Sequence, residues 1–173
     1  MEMTATVDLV SLAGPWKQYS NDGLNLIFDY PVRFDNTSDC RVRAIRMKGF
    51  DELSFFGYDT WTEIRIGGER FIVGVVEIGN IALSNAVDQF APSGVEISRL
   101  DVQVANVDAV QLEYSDTDLV TYQVVTYFKK NSFLYIYVKG NSEACKMDID
   151  EKSNRKMHVL EYFRILESIH FSE

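Results

Sequence analysis

The chain has 173 residues, enough for one domain with a substantial core, and we expect a single domain over residues 1–173. Its formal net charge is −9 at pH 7, which argues against binding of nucleic acid and against adsorption to an anionic membrane, because both need basic surfaces. The longest apolar runs are too short to cross a bilayer, so we expect no transmembrane segment.

A turn, two strands and an aromatic segment are expected in the first third of the chain. Asn21-Asp22-Gly23 predicts a turn, Leu24–Asp29 predicts a strand, and Val42–Met47 predicts a further strand. Phe50–Trp61 follows and is rich in aromatic side chains. Such a segment is either the edge of a core or a partly exposed patch that binds a partner. On the second interpretation, the binding residues are Phe55, Phe56, Tyr58 and Trp61.

A β-hairpin and a short helix are expected next. Thr62–Ile66 and Glu69–Ile78 are rich in β-forming residues and flank Gly67-Gly68, which supplies the positive φ angles of a tight turn. Gly74 inside the second strand indicates a β-bulge. Apolar residues then recur at helical spacing from Ile81 to Phe90, which predicts a helix.

Strands dominate the following segment. In Val95–Val104 we expect Leu100 to face the core, and in Ala109–Tyr114 we expect Gln111 to face solvent, because successive side chains alternate across a strand. The two basic clusters of the chain are interpreted as solvated surfaces. They comprise Arg41, Arg43, Arg46 and Lys48, and Lys152, Arg155 and Lys156.

The hairpin formed by Val120–Lys129 and Ser132–Lys139 is the expected centre of the sheet, with its turn at Lys130-Asn131. Both faces of its second strand are apolar or aromatic, whereas a sheet with one wet face would carry polar residues at every second position. One face holds Leu134, Ile136 and Val138, and the other holds Phe133, Tyr135 and Tyr137. We therefore expect this strand to be covered on both sides.

A long helix is expected from Glu151 to Ser168 and supplies one of the two covers. Val159, Phe163 and Leu166 have the i, i+4, i+7 spacing of a buried stripe. The residues on the other side of the helix are expected to lie in solvent: Glu161, Arg164 and Glu167.

The two cysteines, Cys40 and Cys145, are too few for a disulfide scaffold, and their spacing fits no metal-binding motif. They could pair only if the fold brings them together in an oxidising compartment. Because they are far apart in sequence, two unpaired thiols are the preferred expectation.

Three segments follow one another in an order known from other proteins: Tyr19–Pro31, the three-strand meander Ala109–Lys139 and the closing segment Phe163–Phe171. This order resembles the PsbP-like fold family, which includes thylakoid-lumen photosystem proteins, a Ran-binding nuclear-transport factor and bacterial lipoproteins of unknown function. The resemblance implies an α+β fold with a mostly antiparallel central sheet flanked by helices, an α/β/α sandwich. It does not extend to Ran binding, since residues that mark those members are not found.

Motifs for catalysis are missing from the sequence. There is no Gly-x-Ser-x-Gly elbow, no cysteine-protease motif, no phosphate loop and no complete calcium loop, so we expect no catalytic set, metal or cofactor. His158 and Glu161 lie three residues apart on the last helix and could hold half of a metal site. Nothing else in the sequence completes that site.

Two functional hypotheses follow. The first is a non-enzymatic accessory or protein-binding module that contacts a protein partner through an exposed sheet edge or the Phe50–Trp61 segment, with a homodimer as a further option. The second is a metal-binding protein or hydrolase-type enzyme that uses His158 and Glu161. No signal peptide is expected at the start of the chain. The compartment stays open between the cytoplasm and the mature part of an exported or lipid-anchored protein.

Overall fold

The computed structural model describes residues 14–48, 60–91, 95–115, 122–140 and 145–172, with the backbone alone described at Val95, Ile97 and Tyr122. This part of the chain contains ten strands and two α-helices. They are β1 (Trp16–Asn21), β2 (Leu26–Pro31), β3 (Arg43–Lys48), β4 (Thr60–Ile66), β5 (Phe71–Glu77), α1 (Leu83–Phe90), β6 (Val95–Val104), β7 (Val107–Ser115), β8 (Tyr122–Lys130), β9 (Phe133–Lys139), α2 (Glu151–Ser168) and β10 (His170–Phe171).

Seven strands form the main sheet, in the spatial order β3-β4-β5-β9-β8-β7-β6. Each neighbouring pair in it is antiparallel. A smaller antiparallel sheet has the order β1-β2-β10. The predicted α+β fold with a mostly antiparallel sheet flanked by helices is therefore confirmed.

Strand β9 lies between β5 and β8, and both of its faces are buried. On one face, Tyr135 and Tyr137 pack in a core with Ile165 of α2 and with residues of the small sheet. On the other face, Leu134 and Ile136 pack in a second core that includes side chains of α1. Large aromatic side chains that leave water in this way contribute about 1.5–3 kcal/mol each, so the covered ribbon is a major source of stability. The expectation of burial on both faces is confirmed.

Tyr137 and Tyr162 attach α2 to β9. Their rings are stacked, with centroids 4.3 Å apart and planes 3° from parallel. The Tyr137 hydroxyl donates to the backbone oxygen of Tyr162 at 2.9 Å, and the Tyr162 hydroxyl donates to the backbone oxygen of Tyr137 at 3.1 Å. Each buried hydroxyl is thereby satisfied by the other element, which fixes the position of the helix on the sheet.

The predicted bounds of α2 agree with the structure, but its predicted buried side was only partly right: Leu166 is buried and Arg164 and Glu167 are exposed, as expected. The buried positions of the helix are Asn154, Met157, Glu161, Tyr162, Ile165 and Leu166. Val159 and Phe163 are only half-buried, and Glu161, which was expected in solvent, is completely buried. Apolar residues occur around most of this helix, so their spacing did not define which side faces the sheet.

Three predictions for individual strand residues were also wrong. Leu100 is 50% exposed, because β6 is the outermost strand of the sheet. Gln111 is buried, and its amide donates to the Thr126 hydroxyl at 3.3 Å. Gly74 pairs in regular register with both neighbouring strands, whereas the irregularity in pairing lies in β6 between Glu96 and Ser98.

The predicted turns lie close to their expected positions. Gly67 and Gly68 both have positive φ, 65° and 68°, but the β4–β5 turn has four residues, 67–70, so β5 begins at Phe71 rather than at Glu69. The β8–β9 turn lies one residue later than predicted, at Asn131-Ser132, and Asn131 adopts φ 54°. The turn predicted near Gly23 is a short 3₁₀ turn, Asp22–Leu24, so β2 begins two residues later than expected.

The expectation of unpaired thiols was wrong. Cys40 and Cys145 form a disulfide with a Cα–Cα distance of 5.7 Å, although 105 residues separate them in sequence. Cys40 ends a 3₁₀ turn that follows β2, and Cys145 precedes α2. The bond therefore ties the small-sheet side of the molecule to the start of the last helix. A bond of this kind is typical of an oxidising compartment.

Replacement of both cysteines by serine should lower the free energy of unfolding by about 2–5 kcal/mol, because the long loop is no longer closed in the unfolded chain. Urea denaturation of the oxidised protein and of the double variant measures the difference. Reduction of the wild-type protein serves as the control and should move its denaturation curve onto that of the variant. Equal midpoints for all three samples would show that the bond does not form.

Candidate functional site

A group of charged side chains converges beneath α2. The carboxylate of Glu161 is fully buried and accepts hydrogen bonds from Arg33 Nη2, at 2.8 Å to each oxygen, and from Arg70 Nη2 at 3.2 Å. Arg33 belongs to the 3₁₀ turn after β2, and Arg70 ends the β4–β5 turn. One carboxylate thus holds together the helix, the small sheet and the main sheet.

His158 lies one turn before Glu161 on the same helix. Its Nε2 is 3.1 Å from the backbone oxygen of Arg70, and because a carbonyl only accepts, Nε2 carries the proton and donates. The ring meets Phe71 edge-on, with centroids 5.1 Å apart. Burial of the ring, followed by the positive charge of Arg70, lowers the pKa of His158 to about 3. The imidazole is therefore neutral at physiological pH.

The predicted pair of His158 and Glu161 lacks its anionic ligand, because the Glu161 carboxylate lies between two guanidinium groups that would repel a metal cation. The His158 Nε2 is bonded to a backbone oxygen, which fixes the orientation of the ring. Among the described residues, no group of three or more His, Cys, Asp and Glu side chains is placed to hold a metal ion. Nothing in this geometry supports a metal-binding or hydrolytic site.

In contrast to the buried charged groups beneath α2, the cations of the edge strand β3 are exposed. Among the described residues this strand pairs with β4 on one side only, so no described strand bonds the backbone N–H and C=O groups of its other side. Arg43, Arg46 and Lys48 are exposed along it. In the part of the chain that the structure describes, none of these three cations is within ion-pair distance of a carboxylate. We call this strand and its three cations the basic edge.

A groove of about 200 Å³ adjoins the basic edge on the face that α2 covers elsewhere. Its floor comes from β3, β4, β5 and β9, and its wall includes Leu24, whose backbone oxygen accepts a hydrogen bond from the Tyr135 hydroxyl at 2.8 Å. The lining is partly polar and partly apolar: Arg46, Thr60, Thr62, Val75, Glu77 and Phe133. Such a lining suits an amphipathic side chain better than a purely apolar one.

Of the four aromatic residues predicted to bind a partner, the structure describes only Trp61. Trp61 is 7% exposed, packs in the α1-side core and donates its indole N–H to Glu63 at 3.1 Å. Phe55, Phe56 and Tyr58 lie outside the described residues, so their part in binding stays a prediction. The basic edge was visible in the sequence as a cluster of cations, but nothing in the sequence showed that it lies at the margin of the sheet.

Two antiparallel sheets and two helices, with the larger sheet covered on both faces, define a PsbP-like fold. The structure is similar to the solution structure of cyanobacterial PsbP (CyanoP) from Synechocystis, with a TM-score of 0.50 and 12% sequence identity, over 90% of this chain and 92% of that chain. No family model and no curated protein matches the sequence. At this identity the likeness concerns the fold alone. Within the described residues, no helix is long and apolar enough to cross a membrane.

Glu161→Gln should destabilise the protein by about 3–5 kcal/mol, because it removes a buried charge from between two guanidinium groups. Glu167→Gln is the matched control, since Glu167 is exposed on the same helix. Its effect should stay within about 0.5 kcal/mol. Urea denaturation measures both variants, and equal effects would contradict the burial of Glu161.

His158 should remain neutral well below the ordinary histidine pKa of about 6.5. Its folded-state pKa of about 3 means that the unfolded chain binds a proton that the folded chain does not. This group therefore lowers stability as the pH falls from about 6.5 towards 3 and contributes no pH dependence above that window.

NMR titration of the ring signals of His158, assigned by their loss in His158→Gln, tests this expectation. The ring chemical shifts should stay those of a neutral imidazole down to about pH 4. In concentrated urea the same ring should titrate near pH 6.5. A midpoint between pH 6 and 7 in the folded protein would contradict the assigned environment.

Proposed function

We propose that this protein is a non-enzymatic accessory module that binds a protein partner at the basic edge and at the groove beside it. The observation that carries the proposal is that, among the described residues, β3 has a strand partner on one side only and its three exposed cations lack ion-pair partners, on a chain whose net charge is −9. A second protein can supply both the backbone hydrogen bonds and the negative charges that this strand lacks.

The interior gives the proposal further support. The ionisable groups beneath α2 are bonded to one another or to backbone, so they serve packing and orientation. The PsbP-like fold is compatible with an accessory role but does not specify one, since a fold hosts many functions. A contact surface at the margin of the sheet leaves both cores intact.

The aromatic residues predicted from the sequence belong to the same proposal. Phe55, Phe56 and Tyr58 follow β3 and precede β4 in the chain, so they are joined to the basic edge by sequence. We propose that they contribute apolar contacts to the partner. Trp61, which is buried, would act as a support for β4 beneath that contact.

A photo-activated cross-linker placed at Ala44, on the basic edge, should give a discrete adduct with a partner protein in the source cells. Ala44 is exposed, so the replacement should not disturb the core. The control places the same cross-linker at Lys156, which is exposed on α2. Competition by excess unlabelled protein should remove the Ala44 adduct. Equal yields of adduct from the two positions would contradict a contact at the basic edge.

A triple change of Phe55, Phe56 and Tyr58 to alanine adds a second arm to this experiment. If these residues contact the partner, the adduct yield at Ala44 decreases while the free energy of unfolding stays unchanged. If the change instead unfolds the protein, these residues belong to the core and leave the proposal, because the loss of three buried aromatic side chains costs several kcal/mol each.

A further inference from the structure

We infer that the basic edge takes a strand from its partner, an extended segment in which carboxylates and apolar residues alternate. This inference rests on the proposed function and names the chemistry of the partner. The inference starts from the alternation of cations and apolar residues along β3. Ala44, Arg46 and Lys48 are exposed on one face, while on the other face Arg43 is exposed at the end of the strand and Ile45 and Met47 are half-buried.

The register of β3 shows what an added strand would meet. Arg46 pairs with Thr62 and lines the groove, and Lys48 on the same face pairs with Thr60. Met47 pairs with Trp61 on the opposite face, where it packs against the α1-side core. Side chains directly opposite each other on adjacent antiparallel strands lie about 5 Å apart. Carboxylates on one face of the added strand would therefore meet Arg46 and Lys48, and apolar residues on its other face would extend the core beside Ile45 and Met47.

The charge of β3 also excludes other occupants. Pairing of β3 with β3 of a second copy would place Arg43, Arg46 and Lys48 near one another, and opposed like charges destabilise a ladder. A neutral strand would form the same backbone bonds but leave the cations without partners. A strand with alternating carboxylates satisfies the backbone groups and the two cations that share one face, Arg46 and Lys48.

The opposite margin of the main sheet does not offer an equivalent surface. Strand β6 is interrupted by an irregularity in pairing between Glu96 and Ser98. Its cation Arg99 is already bonded to Glu96 and to Asp88 of α1, at 2.9 Å to each. A bulge and internally neutralised charge are two devices that protect an edge from pairing. Strand addition is therefore assigned to β3.

The test uses the isotope-labelled protein and three synthetic heptapeptides with blocked ends. The first peptide alternates Glu and Val and begins and ends with Glu. The second has the same composition in blocks, Glu-Glu-Val-Val-Val-Glu-Glu, and the third replaces each Glu of the first by Lys. NMR titration follows the amides of Arg43–Lys48, with hydrogen exchange to detect new protection of those that point away from β4.

The alternating acidic peptide should shift and protect the β3 amides. The block peptide should bind at least about tenfold more weakly, since its charges and apolar groups cannot separate onto two faces. The Lys peptide should give no shifts at β3. An increase in salt concentration should weaken the binding of the acidic peptide, because the cations that it meets are exposed.

Two charge-reversal variants complete the test. Arg46→Glu with Lys48→Glu should weaken binding of the alternating peptide by about tenfold or more. Lys152→Glu with Lys156→Glu reverses two exposed cations on α2, gives the protein the same net charge, and should leave binding unchanged. Equal losses in the two variants would show a response to net charge alone and would overturn the inference.

Two further results would overturn the inference while leaving the proposed function intact. One is the absence of β3 shifts with the alternating peptide while the Ala44 adduct with a partner persists, which would mean that the partner contacts the edge without adding an acidic strand. The other is equal binding of the alternating and block peptides, which would show that the peptide is bound by non-specific electrostatic attraction and not as an added strand. Loss of the Ala44 adduct would instead remove the proposed function itself.

Discussion

The attachment of α2 to the centre of the main sheet is the constraint on which the rest of the structure depends. It is made by a reciprocal pair of tyrosines, Tyr137 and Tyr162, whose rings stack and whose hydroxyls bond each other's backbone. The residue just before Tyr162, Glu161, is held by guanidinium groups from two other parts of the fold. Together these contacts close one of the two cores, and the disulfide holds the approach to the helix in place.

This arrangement uses the ionisable groups of the interior for structure. A buried carboxylate is tolerated because it is paired and hydrogen-bonded, and a buried histidine is tolerated because it stays neutral. Removal of such groups should therefore affect folding before it affects any binding event. Among the described residues, backbone groups and cations without partners lie on β3, at the margin of the main sheet. That contrast places the proposed function at the edge of the sheet.

The sequence predicted those features that depend on neighbours in the chain. The alternation of residues in β9 indicated burial on both faces, and the bounds of α2 were predicted as Glu151 to Ser168, as found. The positive φ angles of the β4–β5 turn were likewise predicted from its two glycines. Local periodicity and turn chemistry suffice for such features, because the physical cause lies within a few residues.

Features that depend on distant partners could not be predicted in this way. Glu161 was placed in solvent because its partners Arg33 and Arg70 lie 128 and 91 residues away in the sequence. The two cysteines were expected to be free for the same reason, at a separation of 105 residues. The cations of β3 were recognised as a cluster, yet their position at the margin follows only from the strand order.

Hydrogen exchange at individual backbone amides tests the central claim most directly, because it compares the covered ribbon with the open edge in one sample. The account predicts that the amides of β9 exchange only through global unfolding, while the amides of β3 that point away from β4 exchange orders of magnitude faster. Exchange of the β9 amides at rates as fast as those of β3 would contradict it, because the ribbon would then not be the covered centre of the fold.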